Sequence, residues 1–241
     1  MVTESKQRVH KTDKTSDNYK GIPAHAAAGL HDEIFREVCQ RFSASRGPIL
    51  ELAAGSGALT QRLLDHGFDV HPVDLSADTW RVPDVAPEIA DFNRPGWTGT
   101  LKRPRYAQIV AAEVIEHLDN PRGFMRDIHA LLEPGGTAIV TTPNPLSAMS
   151  TALSLVDSRY YVFDRKYYYD AGHVSMLPPW MLRCHAEEAG LGVEKLVTVC
   201  EPRFDSAVKT AVYGAWRIIF STVRRQRELG KQISLMVVTR R

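Results

Sequence analysis

PILELAAGSGALTQRLLDHG, residues 48–67, is the stretch from which the fold can be read. Its apolar start (48–53) reads as a buried strand, and 58–67 reads as a helix stopped by Gly67. Between them Gly55 and Gly57 permit a tight turn and a close backbone approach to a ligand, because neither carries a Cβ. A strand, a glycine turn and a helix make the first unit of an open α/β sheet, which binds ligands at the carboxyl ends of its strands. Asp74 closes the next predicted strand, FDVHPVDLS (68–76), where a carboxylate can take both hydroxyls of a ribose. The pairing of turn and acid points to a nucleoside-containing ligand. A dinucleotide would favour Gly or Ala at position 60, which is Thr60. Glu51, just before the turn, suits a cationic amino group rather than a pyrophosphate.

Outward from this unit, strand-like and helix-like segments alternate. An amphipathic helix over 29–42 precedes it, with Leu30, Ile34, Val38 and Phe42 on one face. Strands follow at 88–92, 106–114, 137–145, 193–200 and 233–240, with helices through IHALLEPGG (128–136) and over 178–190. The pattern predicts an α/β fold, a doubly wound and mostly parallel seven-stranded sheet. It forms one domain over 21–241 behind a flexible polar arm, 1–20. Two stretches break the alternation. Residues 146–177 read as an aromatic lid, and 203–230 as an extra helix between the last two strands.

Composition narrows the class. With 241 residues, 44% hydrophobic and 24% charged, the chain suits one large domain and excludes wholesale disorder. The net charge of +2 is uneven: residues from Arg203 onward carry +7 and the rest −5. An acidic body argues against DNA and RNA, since phosphate binding wants a basic groove. Cys39, Cys184 and Cys200 form no C-x-x-C pair, which excludes a zinc knuckle, and read as small core hydrophobes in a reducing compartment. The first twenty residues hold no apolar signal region, and no apolar run reaches membrane-spanning length, so a cytoplasmic protein is expected.

Glu113, Glu116 and His117 fall at the junction of the fourth strand and its helix. In a helix, the i, i+3, i+4 spacing would place all three on one face. Two carboxylates and an imidazole there could ligate Mg²⁺ or Mn²⁺, or His117 could act as a general base.

Taken together, ELAAGSG (51–57), VDLS (73–76), ADFNRPGW (90–97), VAAEVIEHLDNP (110–121) and LLEPGGTAIVTTPNP (131–145) resemble the successive motifs of class I S-adenosylmethionine-dependent methyltransferases. The likeness is to the branch with ubiquinone-pathway O-methyltransferases and small-molecule methyltransferases, and covers roughly 29–200. It implies that Glu51, Ala53, Gly55 and Gly57 line the methionine end of S-adenosylmethionine. Asp74, with Leu75, would hold the ribose, and Asp91 and Phe92 the adenine. Ala53 stands where the family has its first loop glycine, which a negative φ would tolerate. Ala107 replaces an expected acid, and the segment after the second strand is short and proline-rich. The E-x-x-E-H cluster is also similar to the metal site of small-RNA 2′-O-methyltransferases, where a downstream histidine completes it. His173 would be that ligand here, beside Glu113, Glu116 and His117.

The two insertions carry the remaining expectations. Tyr160, Tyr161, Phe163, Tyr167, Tyr168 and Tyr169, with Arg159, Arg165 and Lys166, suit sugars or planar rings, or merely pack the lid onto the domain. In 205–227, Val208, Val212, Ala215, Trp216, Ile219 and Val223 make a helical stripe near Arg217, Arg224, Arg225 and Arg227. Core packing is the default reading, against a homodimer contact or a peripheral membrane face. The expected function is methyl transfer from S-adenosylmethionine to a hydroxyl of a small molecule or of a glycan or lipid-linked intermediate. The alternatives are an NAD(P)-linked dehydrogenase, an RNA 2′-O-methyltransferase, and a non-catalytic cofactor-binding protein that docks a partner.

Overall fold

A computed structural model describes residues 17–204, 206–223 and 230–241, the side chains of 220–223 excepted. A two-strand hairpin, β1 (Asn18–Tyr19) and β2 (Ile22–Pro23), leads into α1 (Leu30–Arg41). The first βα unit is β3 (Ile49–Leu52) and α2 (Ala58–Asp65), followed by β4 (Val70–Asp74), β5 (Glu88–Ile89) and β6 (Tyr106–Ala111). Then come α3 (Pro121–Leu131), β7 (Leu132–Pro143), α4 (Ala148–Asp157), α5 (Arg165–Asp170) and α6 (Pro179–Glu188). The chain ends with β8 (Leu191–Val199), α7 (Ala207–Val223) and β9 (Ile233–Arg240).

β3 to β9 form one seven-stranded sheet in the order β5-β4-β3-β6-β7-β9-β8. β9 pairs antiparallel with both β7 and β8, and the other pairings are parallel. This is the doubly wound sheet that the alternation predicts. The order reverses between β3 and β6, and at such a switch point a crevice opens beyond the strand carboxyl ends. Both faces are covered, which is why β3 and β6 are buried along their whole length. Successive residues point to opposite faces. Leu50, Ile109 and Ala138 pack with Phe124 and Met125 of α3, while Ile49, Val110 and Ile139 pack with Ile34 of α1 and Leu63 of α2.

Several expectations are corrected. The helix predicted through IHALLEPGG stops at Leu131, and 132–136 joins β7 through a register shift opposite Tyr106 and Gln108. A Pro and two glycines cannot continue a helix, but they accommodate a bulge. The arm is shorter than expected, because Asn18 and Tyr19 pair with Pro23 and Ile22, while 1–16 lie outside the described residues. Cys39 and Cys184 are exposed rather than core residues. The default reading of the second insertion also fails. On α7, Val208 is 72% and Val212 64% exposed, so this helix does not bury its apolar stripe in the core. Arg224, Arg225 and Arg227 lie outside the described residues.

Candidate active site

The glycine turn sits at the switch point. Gly57 caps α2 in the left-handed region (φ 87°), and a Cβ there would collide with Val82 and press on the Trp80 ring. The short proline-rich segment thus folds over the turn, held by Trp80 Nε1, which donates to the carbonyls of Val82 and Val85 at 2.8 Å each. Gly55 also has positive φ, and its N–H donates to Asp74 Oδ2 at 2.8 Å. Ala53, expected at negative φ, instead lies at φ 60°. A residue with a Cβ pays conformational strain there that glycine would not.

Glu51 is buried at the end of β3 and accepts a 2.6 Å hydrogen bond from Thr60 Oγ1. Burial pushes its carboxyl up to about 8, the Asp74 charge adds to the rise, and the Thr60 hydroxyl opposes it. Thr60, which the sequence reading used only against a dinucleotide, is therefore Glu51's direct partner. Asp91 accepts from the Asn93 N–H at 3.0 Å and pairs with Arg94 at 3.4 Å. Phe92 packs against Trp97 with ring centroids 4.7 Å apart.

A cavity of about 380 Å³ brings together Glu51, Ala53, Gly55, Asp74, Leu75, Asp91 and Phe92. Gly57 shapes the turn without lining this cavity. His25, just before α1, and His31, in its first turn, also line it, though no motif or spacing pointed to them. Burial pushes the His31 imidazole down to about 4, so it is neutral near pH 7. The segment leading into α1 is fastened to the turn by Ser56 Oγ, which donates to the Pro23 carbonyl.

The E-x-x-E-H segment is not a helix. Glu113 takes a positive φ of 49°, only Ile115–His117 forms a 3₁₀ turn, and α3 begins later, at Pro121. Glu113 lines the first cavity, and its carboxylate accepts from Thr141 Oγ1 at 3.2 Å. Burial pushes Glu113 up to about 8. Glu116 is wholly buried and is raised well above the usual carboxylate range by burial first and by the Glu113 charge second. Its Oε2 accepts from Thr142 Oγ1 at 2.9 Å, while Oε1 is buried without a hydrogen-bond partner among the described residues.

His173 reaches this point from the lid. The Val174 and Ser175 N–H groups donate to the Glu116 carbonyl at 3.0 and 2.9 Å, which pins the lid to the turn. Ligand atoms of Glu116, His117 and His173 all lie within 4.8 Å of one another. Three of the four expected metal ligands thus converge, and Glu113 does not belong to this group. His117 Nδ1 lies 3.2 Å from the Gly172 carbonyl and His173 Nδ1 lies 2.7 Å from that of Val162. Since a carbonyl only accepts, those contacts place a proton on each Nδ1. No ligand spacing in the sequence singles out His173, since 55 residues of chain separate it from His117.

The two imidazoles stand edge to face, 4.8 Å between centroids, with His117 on the first cavity and His173 on a second. This more open cavity, about 400 Å³, is lined by lid residues that include Phe163, Arg165, Tyr168 and Tyr169. The lid aromatics differ in burial. Tyr168 and Tyr169 are 50% and 72% exposed, whereas Phe163 and Tyr167 are half-buried and pack on the His173 ring.

A family model described as "Methyltransferase domain" matches residues 26–196. The rat mitochondrial ubiquinone biosynthesis O-methyltransferase is 26% identical over 156 residues, 58% of this chain and 45% of the relative. The ubiquinone biosynthesis O-methyltransferase of a Bradyrhizobium strain is 28% identical over 116 residues, 46% of each chain. The chain therefore spans less than half the length of these relatives. A solved S-adenosylmethionine-dependent methyltransferase from Archaeoglobus fulgidus has a TM-score of 0.57 at 17% identity, covering 87% of this chain and 94% of its own. The CcbJ methyltransferase of Streptomyces caelestis gives 0.54 at 22% identity, covering 87% and 88%. The sheet order, the turn at its switch point and the extent of the family match agree: the chain belongs to the methyltransferase domain family, as a class I S-adenosylmethionine-dependent methyltransferase.

Proposed function

We propose that the protein methylates a hydroxyl of a small molecule or of a glycan or lipid-linked intermediate, with a divalent ion held by Glu116, His117 and His173. The observation that carries this reading is the convergence of one buried carboxylate with two imidazoles, one lining each cavity. The donor set fits a metal. Glu116 Oε1 is a buried oxygen with no partner among the described residues, and a cation would satisfy it. Both histidines place Nδ1 against a backbone carbonyl, the arrangement that orients metal-ligating imidazoles. A divalent ion would supply a Lewis acid beside the acceptor hydroxyl. One carboxylate with two imidazoles suits Mn²⁺ better than Mg²⁺, which prefers an all-oxygen shell.

The first cavity fits S-adenosylmethionine by the chemistry of its lining. Glu51 would meet the cationic amino group, Asp74 the ribose hydroxyls, and Asp91 with Phe92 the adenine, all of them lining this cavity. S-adenosylmethionine, when bound, supplies an electrophilic methyl group on a sulfonium. Glu113 and His117 would then border the transfer path, and the walls of the two cavities would exclude water and align the acceptor oxygen. The exposed rings of Tyr168 and Tyr169 would hold the acceptor's ring from the lid side. The ubiquinone-pathway relatives favour O-methylation over transfer to nitrogen or carbon.

The test is turnover of phenolic and sugar-nucleotide acceptors in a chelator, followed by addition of Mn²⁺ or Mg²⁺. Activity is expected to vanish and return, and not to return in His173→Ala, which should still bind S-adenosylmethionine. Full activity in excess chelator would discard the metal and leave His117 Nε2 as the base that takes the hydroxyl proton.

A further inference from the structure

We infer that the exposed face of α7 docks the enzyme, in the plane of the interface, onto an anionic lipid bilayer. The sequence stripe predicted that α7 has an apolar side; the structure shows that this side faces outward. Val208, Ala211, Val212, Ala215, Ile218 and Ile219 are all exposed, Ile218 at 68% and Ile219 at 53%. At 100° per residue these six fall within one arc of about 120°, with no charge inside it. The opposite side faces the protein: Tyr213 and Trp216 are half-buried, and Arg217 pairs with Glu201 at 2.7 Å.

The helix is anchored by polar contacts and not by its apolar residues. Trp216 Nε1 donates to the Ala148 carbonyl at 2.7 Å, at the start of α4, and the Tyr213 hydroxyl donates to Glu201 at 3.2 Å. α4 packs against α7 and ends in two further exposed aliphatics, Leu155 and Val156, at 73% and 87%. An apolar surface of this kind on a soluble domain marks a contact with something apolar.

Charge selects the occupant. Residues 206–227 hold five basic side chains and no acid, namely Lys209, Arg217 and, directly after the described helix in the sequence, Arg224, Arg225 and Arg227, whereas the rest of the protein is net negative. An apolar helix face within a locally basic stretch matches acyl chains under anionic headgroups. A second copy of this chain would instead bring two such basic segments together. No helix among the described residues is long and apolar enough to cross a membrane, so α7 would lie along the bilayer.

The placement has a catalytic consequence, and this part alone rests on the methyltransferase reading. β8 runs parallel to β7, so α7 leaves Val199 and returns at Ile233 on the carboxyl edge of the sheet, the edge that carries the two cavities. A docked enzyme would meet its acceptor at the membrane surface, which favours a lipid-linked acceptor.

Co-sedimentation of the full chain with vesicles tests the inference without turnover. Wild type is expected to bind phosphatidylglycerol-containing vesicles at low ionic strength, to bind pure phosphatidylcholine far less, and to release as salt rises. Val212→Glu with Ile219→Glu should abolish binding while leaving S-adenosylmethionine affinity unchanged. Arg224→Gln with Arg225→Gln should weaken it by roughly thirtyfold. Absence of wild-type binding to anionic vesicles would overturn the inference, as would undiminished binding by the Val212/Ile219 variant. A wild-type dimer split by the same variant, with no vesicle binding, would assign the face to self-association and also overturn it.

Discussion

Cofactor binding should depend on pH through one residue, Glu51. Burial holds its carboxyl up to about 8, so near neutrality the unliganded enzyme carries it mostly protonated. A ligand ammonium against this carboxylate favours the charged form and drives the proton off. If ionisation must accompany binding, the competent fraction is about one half at pH 8 and about one hundredth at pH 6. Because the ligand's α-amino group is itself only about half charged at pH 8, affinity for S-adenosylmethionine should then fall about 25-fold between pH 8 and pH 6, roughly 1.9 kcal/mol. Above pH 8 the gain should level off, because an α-amino group loses its own charge at roughly that pH. Isothermal titration calorimetry in two buffers of different ionisation enthalpy would read both quantities, with close to one proton released per ligand at pH 6. Glu51→Gln keeps the shape of the side chain and removes the titration. It should bind more weakly at pH 8 and lose most of the pH slope. Equal affinity at pH 6 and pH 8 with no proton release in wild type would refute the reasoning. A slope that survives in Glu51→Gln would move the titration to Glu113, which burial also raises to about 8.

Two further outcomes bear on the turn. Ala53→Gly should stabilise the protein by about 1 kcal/mol in urea unfolding, because glycine removes the left-handed strain at φ 60° at some cost in chain entropy. Destabilisation would place Ala53 in the right-handed or extended region. Asp74→Ala should weaken S-adenosylmethionine binding by about 1.5–3 kcal/mol, the scale of a lost hydrogen bond to a charged group, and unchanged titration would move the ribose contact elsewhere.

Local chemistry made much of this protein legible. The apolar runs, the glycine turn and the acids at strand ends depend on the backbone within a few residues, and they announce the βα units in order. The buried residues of α1 needed only periodicity, and the strand at 48–53 only a short apolar run. The sequence alone also argued against a dinucleotide site and excluded a C-x-x-C metal site, because both demand fixed residues at fixed spacing.

Other features depend on where distant segments land. The i, i+3, i+4 spacing of Glu113, Glu116 and His117 suggested a helical face, but the left-handed Glu113 and a 3₁₀ turn separate Glu113 from the other two. His173 joins them only because the Glu116 carbonyl captures the N–H groups of Val174 and Ser175. His25 and His31 reach the cavity from the hairpin and α1, and nothing in their spacing records it. The stripe on α7 is equally compatible with a buried or an exposed helix, since periodicity reveals that one side is apolar but not what lies opposite. Sequence thus determined the order of elements and the chemical character of the cofactor end. Tertiary structure decided which side chains share a site and which apolar face is left to solvent, because both follow from packing between segments far apart in the chain.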